Sequence, residues 1–404
     1  MLPERPRFLV LFAFFLATGL IAFAYLGKTV YRGAGEKLST HDGAVATRAI
    51  VTHWMRDGYF ATHGLLNAVP GETRLYRWSS GAYFATSLIA ERLWIGVTGR
   101  YSWRLLALHN VLVALVVSAL LGVLAFRFAR RLGLEQLHAA ALATGAQMVQ
   151  FTFPDNVALY WQNRPHVWWL LFALCFFLAE EEGRPVMQAL AVFAMTYMEY
   201  IYATFFLAAY AATVLLLRDE RPSLRPLAKL LAVPWAAAMA LFALQRLGLH
   251  DLAGSAFLYR TGLDGDAALY RTHLDIAFGR AIVRRQQRYL FHWPALFLSG
   301  AAAAIVSFAA YVRGRVPRAI AVPLLSLLGA YVVYAAVFSQ HVAMHPYLFD
   351  TMLATPLIVA LFVVVPALAE AATEQRGVFV LIAAIAATWT AMVNLRLYAL
   401  SYPA

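Results

Sequence analysis

Charged residues and cysteine are both scarce in this sequence. Only 13% of its 404 residues are Asp, Glu, Lys or Arg, about half the share found in a soluble globular protein. This shortage excludes a soluble domain of ordinary size between the apolar stretches. The single cysteine, Cys175, lies inside an apolar run. It cannot form an intrachain disulfide and is predicted to be a buried structural thiol.

The chain also lacks the short motifs of several enzyme classes. It contains no phosphate-binding glycine loop, no nucleophile elbow and no zinc-ligand spacing. It has no convincing internal repeat and no low-complexity segment. Any catalytic chemistry must therefore come from residues that the fold brings together from distant parts of the chain.

Apolar residues dominate what is present, at 62% of the chain. Apolar stretches of about 20 residues, the length that crosses a hydrocarbon core of about 30 Å, recur along the whole sequence. They predict an all-α polytopic membrane protein, a single domain over residues 1–404 with about eleven transmembrane helices. The predicted spans are 8–26, 105–126, 134–151, 168–178, 187–198, 201–217, 230–247, 293–312, 319–338, 351–368 and 378–394. The first is interpreted as a retained signal anchor.

The net charge of +12 is explained by the excess of Lys and Arg in cytoplasmic loops rather than by nucleic acid. This bias places two long loops, 27–103 and 250–292, on the outer face. Two helices are predicted in the first loop. One has its apolar residues on one face between Ala46 and Arg56. The other, over 82–97, carries Glu91 and Arg92 and is predicted to lie along the membrane surface, because Arg127, Arg130 and Arg131 would otherwise face outside.

Asp42 precedes the first surface helix. One interpretation is an N-cap, in which the carboxylate accepts hydrogen bonds from free amides. The other is a general base that takes a proton from an acceptor hydroxyl group. The two roles are compatible. His41 beside it either tunes this carboxylate or is a bystander.

Arginines in the outer loops are not required by topology. The structural interpretation of the second loop is a surface helix whose arginines reach lipid headgroups. The functional interpretation is a phosphate clamp, because the planar guanidinium group pairs bidentately with phosphate oxygens. The candidate phosphate-binding residues are Arg77, Arg164, Arg260, Arg271 and Arg280.

Four further residues are candidate substrate contacts. Glu199 is predicted at the tip of a short apolar hairpin, where an ionisable group is costly and often functional, although a solvated or Arg-paired structural carboxylate is the alternative. His341, His345 and Asp350 precede the tenth span, where sugar or phosphate contact competes with interface packing. Pro346 argues against helical metal-ligand spacing there. No cofactor is assigned, and a divalent metal is left open.

The order of these features resembles the GT-C glycosyltransferases, in particular the protein O-mannosyltransferase and bacterial aminoarabinose–lipid A transferase branch. The resemblance covers nearly the whole chain as architecture and rests mainly on the first loop. It is carried by Asp42, by Arg74-Leu75-Tyr76-Arg77-Trp78 before the second surface helix, by Thr196-Tyr197-Met198-Glu199-Tyr200, and by His345-Pro346-Tyr347-Leu348 before Thr355-Pro356.

The resemblance implies an inverting transfer from a polyprenyl-phosphate sugar on the outer membrane face. The family's first-loop acid falls on Asp42 and its basic residue at or near Arg77. Three departures are visible. Gly43 replaces the second acid of the usual pair, Arg-Trp-Ser-Ser stands where Lys-Pro is usual, and Glu199 stands where the branch often has a basic residue. The second-loop acid has no clean match, and Asp155 and Asn163 both stay open.

The expected protein is therefore a glycosyltransferase in a bacterial inner membrane with its active site facing the periplasm. Its expected partners are a polyprenyl-phosphate-linked sugar, membrane lipids and a glycolipid, glycan or protein acceptor, with no nucleic acid. Two alternatives are a lipid or polysaccharide transporter or flippase, which predicts inverted repeats, and an enzyme like the O-antigen ligases or polymerases. The latter does not need an acid directly after the first span.

Overall fold

The computed structural model describes most of the apolar chain. The described residues are 8–39, 42–58, 66–67, 75–76, 82–100, 102–153, 165–217, 224–245, 292–338, 353–373 and 377–401. Within these ranges, only the backbone is described at 25–39, 42–48, 66–67, 75–76, 83–84, 103–107, 165, 292–295 and 397–401.

Helices account for nearly all of the described residues. They are α1 (Phe8–Ser39), α2 (Asp42–Asp57), α3 (Ala82–Thr98), α4 (Trp103–Arg131), α5 (Gln136–Thr152), α6 (Pro165–Glu181), α7 (Pro185–Met198), α8 (Tyr200–Leu216), α9 (Leu224–Leu244), α10 (His292–Val312), α11 (Arg318–Val337), α12 (Thr355–Thr373, with a π-helical turn at Ala360–Val364) and α13 (Val378–Ser401). Two short antiparallel strands, β1 (Leu66–Asn67) and β2 (Leu75–Tyr76), pair Leu66 with Tyr76 and Asn67 with Leu75.

The helices have the length and composition of a membrane protein. Five segments of the described chain are long and apolar enough to cross a bilayer: Leu108–Arg131, Leu224–Leu244, Arg318–Val337, Thr355–Thr373 and Val378–Arg396. Shorter apolar helices lie at Phe8–Ala24, Pro185–Met198, Tyr200–Leu216 and Leu296–Val312. Each predicted span coincides largely with a helix. The all-α membrane class is therefore confirmed, whereas five long spans do not establish a count of eleven.

The first long loop differs from its prediction. Helix α1 continues to Ser39, so residues 27–39 are helical and the loop predicted to begin at residue 27 is wrong there. At 1.5 Å per residue, its 32 residues extend over about 48 Å, longer than a bilayer core of about 30 Å. The two predicted surface helices are present as α2 and α3. The β1–β2 pair was not predicted, because strands of two residues leave no periodic signal.

One end of the helix bundle is held by ion pairs, and we call it the arginine end. Arg127 on α4 contacts Glu182 at 2.7 Å and Glu181 at 3.3 Å, and Arg131 contacts Glu181 at 3.0 Å. The Tyr210 hydroxyl group on α8 donates to Glu180 at 2.6 Å. Helices α4, α6 and α8 therefore all finish at this end.

The opposite end is formed by the start of α6, the tip of the α7–α8 hairpin and the end of α11, and we call it the hairpin end. The ring of His166 at the start of α6 lies 4.9 Å from that of Tyr202 at the start of α8. Tyr202 in turn stacks on Tyr334 near the end of α11, with centroids 4.3 Å apart. Since α6 and α8 run in the same direction, α7 must run back between them. Glu199, the one residue between α7 and α8, is therefore at the tip, as predicted.

Close helix packing and internal hydrogen bonds hold the bundle together. Gln147 on α5 is fully buried and donates to the Phe15 carbonyl at 2.7 Å and the Ser118 hydroxyl at 3.0 Å, while Thr18 donates to it at 3.0 Å. These bonds join α1, α4 and α5. Small residues at helix contacts let backbones approach closely in membrane proteins. A Cβ atom at Gly122 would lie 2.6 Å from the ring of Phe15.

We expect Gly122→Ala to destabilise the protein, because its Cβ would overlap the ring of Phe15. Overpacking of this kind costs about 1–3 kcal/mol. Gly96→Ala is the matched control, since a Cβ there meets nothing within 4 Å and alanine favours the helix by about 1 kcal/mol. Thermal unfolding in detergent should show a lower Tm for the first variant only. Equal Tm values for the two variants would contradict this packing.

Candidate functional site

The surface helices α2 and α3 dock onto the hairpin end through one apolar cluster. Its buried members are Ile50, Val51 and Trp54 on α2 and Leu88 on α3, with Trp54 fully buried. Trp168 on α6 and Met198 at the end of α7 pack against them. We call this set the Trp54 cluster. It joins α2, the helix that begins with Asp42, to the end of α7, which Glu199 directly follows.

Glu199 closes one helix and opens the next. Its backbone N–H donates to the Met195 carbonyl at 3.0 Å, and its carbonyl accepts from the Ala203 amide at 3.1 Å. Both backbone groups are thus satisfied, which allows a link of one residue. The side chain is 7% exposed and belongs to the residue directly before α8, where the helix dipole stabilises negative charge.

Aromatic side chains line the bundle beneath this tip. Tyr202 lies between His166, edge-on at 4.9 Å, and Tyr334, stacked at 4.3 Å. Trp169 packs edge-on against Phe206 at 5.4 Å. His166, Trp169, Tyr202 and Tyr334 are all buried. Trp169, Tyr202 and Tyr334 belong to the packed core of the bundle, so they form a rigid aromatic layer beneath the tip.

A second buried acid lies on α3. Glu91 is 1% exposed, and neither carboxylate oxygen has a hydrogen-bond partner of normal geometry among the described residues. Burial raises the pKa of the Glu91 carboxyl group above its usual value, and the nearby backbone amide of Ser102 offsets part of that rise. Ser102 directly precedes α4, so this acid lies near the N-terminus of that helix.

Other buried polar atoms at the hairpin end also lack partners among the described residues. They are Nδ2 of Asn110, Nε1 of Trp169 and Oγ1 of Thr196. Asn110 also contacts His109, whose ring nitrogen lies 3.0 Å from the amide oxygen, and His109 faces Trp168 at 6.1 Å. Leaving such atoms unpaired costs about 1–3 kcal/mol each. Both amide atoms of the buried Asn394 on α13 likewise have no partner in the described part of the chain.

The far end of α2 carries an exposed ionic group. Asp57 contacts Arg56 at 2.7 Å and His53 at 2.8 Å. The hydrogen bond from Arg56 holds the pKa of the Asp57 carboxyl group below its usual value. Asp57 is thus an exposed carboxylate with its own partners, in contrast to Glu91 and Glu199.

The predicted site residues fall into two groups. Glu199 is described with its side chain and lies at the predicted tip. Asp42 is the first residue of α2, so its backbone lies in the first helical turn, where a carboxylate is favourable; its side chain is outside the described atoms. The other predicted contacts lie outside the described residues: His41, Arg77, Arg164, Arg260, Arg271, Arg280, His341, His345 and Asp350.

A metal centre is not visible in the described part of the chain, where no three His, Cys, Asp or Glu residues gather. His341, His345 and Asp350, which left a divalent metal open, belong to the range 339–352 that is not described.

Sequence reasoning assigned no polar contact to three of these residues. Glu91 was used only as evidence that 82–97 is not a span, Thr196 was named only as part of the hairpin motif, and Asn110 was passed over inside an apolar run. The available signal was the position of Glu91 one turn after Leu88, on the face of α3 that the Trp54 cluster buries. Comparison with known proteins adds no assignment, since no family model and no curated protein matches the chain.

We expect Trp54→Ala to release α2 from the hairpin end. Removing a fully buried tryptophan costs about 3–5 kcal/mol, and α2 is held there mainly by this cluster. Hydrogen–deuterium exchange should accelerate in Asp42–Asp57. Trp94→Ala is the control, because Trp94 is 39% exposed on the other face of α3. Equal exchange in the two variants would show that Trp54 does not hold α2.

We expect Glu91→Gln to stabilise the protein more at high pH than at low pH. Burial raises the folded-state pKa of Glu91, so folding favours the protonated acid. The wild-type protein therefore loses stability as the pH rises from the unfolded-state pKa through the raised folded-state value. The variant does not titrate at this position. Its Tm advantage should grow as the pH rises above the ordinary pKa of a glutamate, about 4.3, and a constant difference would contradict the burial of Glu91.

Proposed function

We propose that the protein is a membrane glycosyltransferase that transfers a sugar from a polyprenyl-phosphate carrier to an acceptor hydroxyl group. One observation carries the proposal: the Trp54 cluster holds the helix that begins with Asp42 against the tip that ends in Glu199. An acid from the first loop and a buried acid of the bundle thus belong to the same end of an apolar helix assembly. The first-loop resemblance to the GT-C glycosyltransferases supports the same activity.

The proposed topology has about eleven spans in a bacterial inner membrane. The arginine end faces the cytoplasm, in line with the positive-inside bias, and the hairpin end faces the periplasm. Seven arginines in described parts of the chain support this orientation: Arg127, Arg130, Arg131, Arg184, Arg313, Arg315 and Arg318. Tyr311, just before the last three, donates to the Leu217 carbonyl at the arginine end of α8.

The proposed reaction is a single displacement at the anomeric carbon. Asp42 takes the proton of the acceptor hydroxyl group as its oxygen forms a bond to that carbon. The bond between the anomeric carbon and the phosphate oxygen breaks, and its electron pair leaves on the phosphate. The products are the inverted glycoside and the polyprenyl phosphate.

Guanidinium groups stabilise the negative charge that develops on the leaving phosphate. The residues proposed for this role are Arg77, Arg164, Arg260, Arg271 and Arg280. Glu199, His41, His341, His345 and Asp350 are proposed to contact the substrates. The acceptor is a glycolipid, a glycan or a protein.

We expect Asp42→Asn to abolish transfer while leaving protein levels normal. Loss of a general base lowers the rate by about 10²–10⁴-fold. Mass spectrometry of the glycolipids, glycans and glycoproteins of cells with and without the protein identifies the product. Complementation with the variant should then restore less than about a hundredth of it.

Asp57→Asn is the matched control, because Asp57 lies at the other end of the same helix and is exposed and paired with Arg56. It should restore the full amount of product. Normal product from Asp42→Asn at normal protein level would disprove the proposed mechanism. A wild-type protein that changes no glycosylated molecule would disprove the glycosyltransferase assignment and favour transport.

A further inference from the structure

Helix α3 buries two polar residues and exposes several large apolar ones. Ser87 and Glu91 are buried, beside Leu88 of the Trp54 cluster. The exposed side chains of α3 include four large apolar ones, Ile89, Leu93, Trp94 and Val97, together with the charged Arg92. An apolar exposed face suits contact with lipid. The acid of this helix is therefore turned away from lipid and water and towards the protein.

Burial of Glu91 is only partly compensated, by the backbone amide of Ser102 at the N-terminus of α4. A buried carboxyl group is stabilised by paired charges or several hydrogen bonds. In the described structure the oxygens of Glu91 have no hydrogen-bond partner of normal geometry. The backbone amide of Ser102 lies close enough to lower the pKa of the carboxyl group in part. A leucine or methionine would fill the same volume without this penalty. The cost is understandable if a ligand supplies the missing hydrogen bonds.

The chemistry of the unpaired atoms towards the hairpin end restricts the ligand. Asn110 Nδ2 and Trp169 Nε1 are donors, Thr196 Oγ1 both donates and accepts, and the Glu91 oxygens accept. Glu91 and Thr196 lie three and two residues from members of the Trp54 cluster, and Trp169 is adjacent to one. A cation would meet N–H donors here, and an anion would meet a carboxyl group. A neutral molecule with several hydroxyl groups satisfies both kinds of atom.

We propose that Glu91 is a substrate-binding residue that accepts hydrogen bonds from hydroxyl groups of a sugar bound at the hairpin end, between α3 and the tip of α7. The inference rests on the proposed function for the identity of the ligand as a sugar. It adds a binding residue on the second surface helix and distinguishes its role from that of the phosphate-binding arginines.

The test measures stability and product formation in the same variants. Glu91→Met replaces the acid with an apolar side chain of similar volume, and Glu91→Gln keeps its shape. Arg92→Met is the matched control, because Arg92 is the next residue and is exposed. Each full-length variant is unfolded thermally in lipid nanodiscs. Each is also expressed in cells without the native protein, where the glycosylated product is quantified per amount of protein.

We expect Glu91→Met to leave the Tm unchanged or raise it by about 1–3 °C, while the product falls at least about tenfold. Glu91→Gln should lose a similar fraction of the product, because an amide replaces one acceptor oxygen with a donor. Arg92→Met should change neither the Tm nor the product. An unchanged or higher Tm together with a loss of product identifies Glu91 as a binding residue, because a structural residue would lower the Tm when it is replaced.

Two results would overturn the role of Glu91. A lower Tm for Glu91→Met would show that the acid is structural, and wild-type product from this variant would show that it does not bind the substrate. The comparison of the wild-type protein with cells that lack it tests the proposed function separately. If that function is wrong, the wild-type protein itself yields no more glycosylated product than cells without it, and the sugar-binding role of Glu91 falls with it.

Discussion

The packing of Trp54 against the hairpin tip is the contact on which the candidate site depends. Helices α2 and α3 pack against the bundle through the apolar residues that they bury. Trp54 contributes a fully buried indole to a cluster that includes Leu88 and Met198. Because Met198 precedes Glu199, this single apolar contact brings the first-loop helices to the buried acid of the bundle.

The two ends of the molecule differ in how many of their buried polar groups have partners. At the arginine end, charges pair with each other, and the Glu370 carboxylate accepts hydrogen bonds from the backbone amides of Gly377 and Phe379 at the start of α13. Towards the opposite end, the described side chains of Glu91, Asn110 and Thr196 retain buried atoms without partners. In a medium of low dielectric constant an unpaired polar group is costly, so this asymmetry supports the proposal that the functional site lies at the hairpin end.

The paired groups of the arginine end and the buried glutamine network fix the helices relative to one another. The paired network of Arg127, Arg131 and their carboxylates fixes the ends of α4 and α6, and the Gln147 hydrogen bonds tie α1 to α4 and α5. A rigid frame of this kind holds side chains at the hairpin end in place before a ligand arrives. Preorganised polar groups of this type are what electrostatic stabilisation of a transition state requires.

The sequence by itself determined the helices, because apolar runs of bilayer length and their flanking arginines are local signals. It also located α2 and α3 closely and placed Glu199 between two short apolar helices, because a one-residue break shows in the hydrophobic pattern. It did not reveal that α1 continues to Ser39, since residues 27–39 lack the apolar content of a span. Nor did it reveal which face of α3 is buried. Only the tertiary structure decided that Glu91 points towards the protein and that Trp54 meets Met198, because such contacts join residues far apart in the chain and depend on how the helices pack.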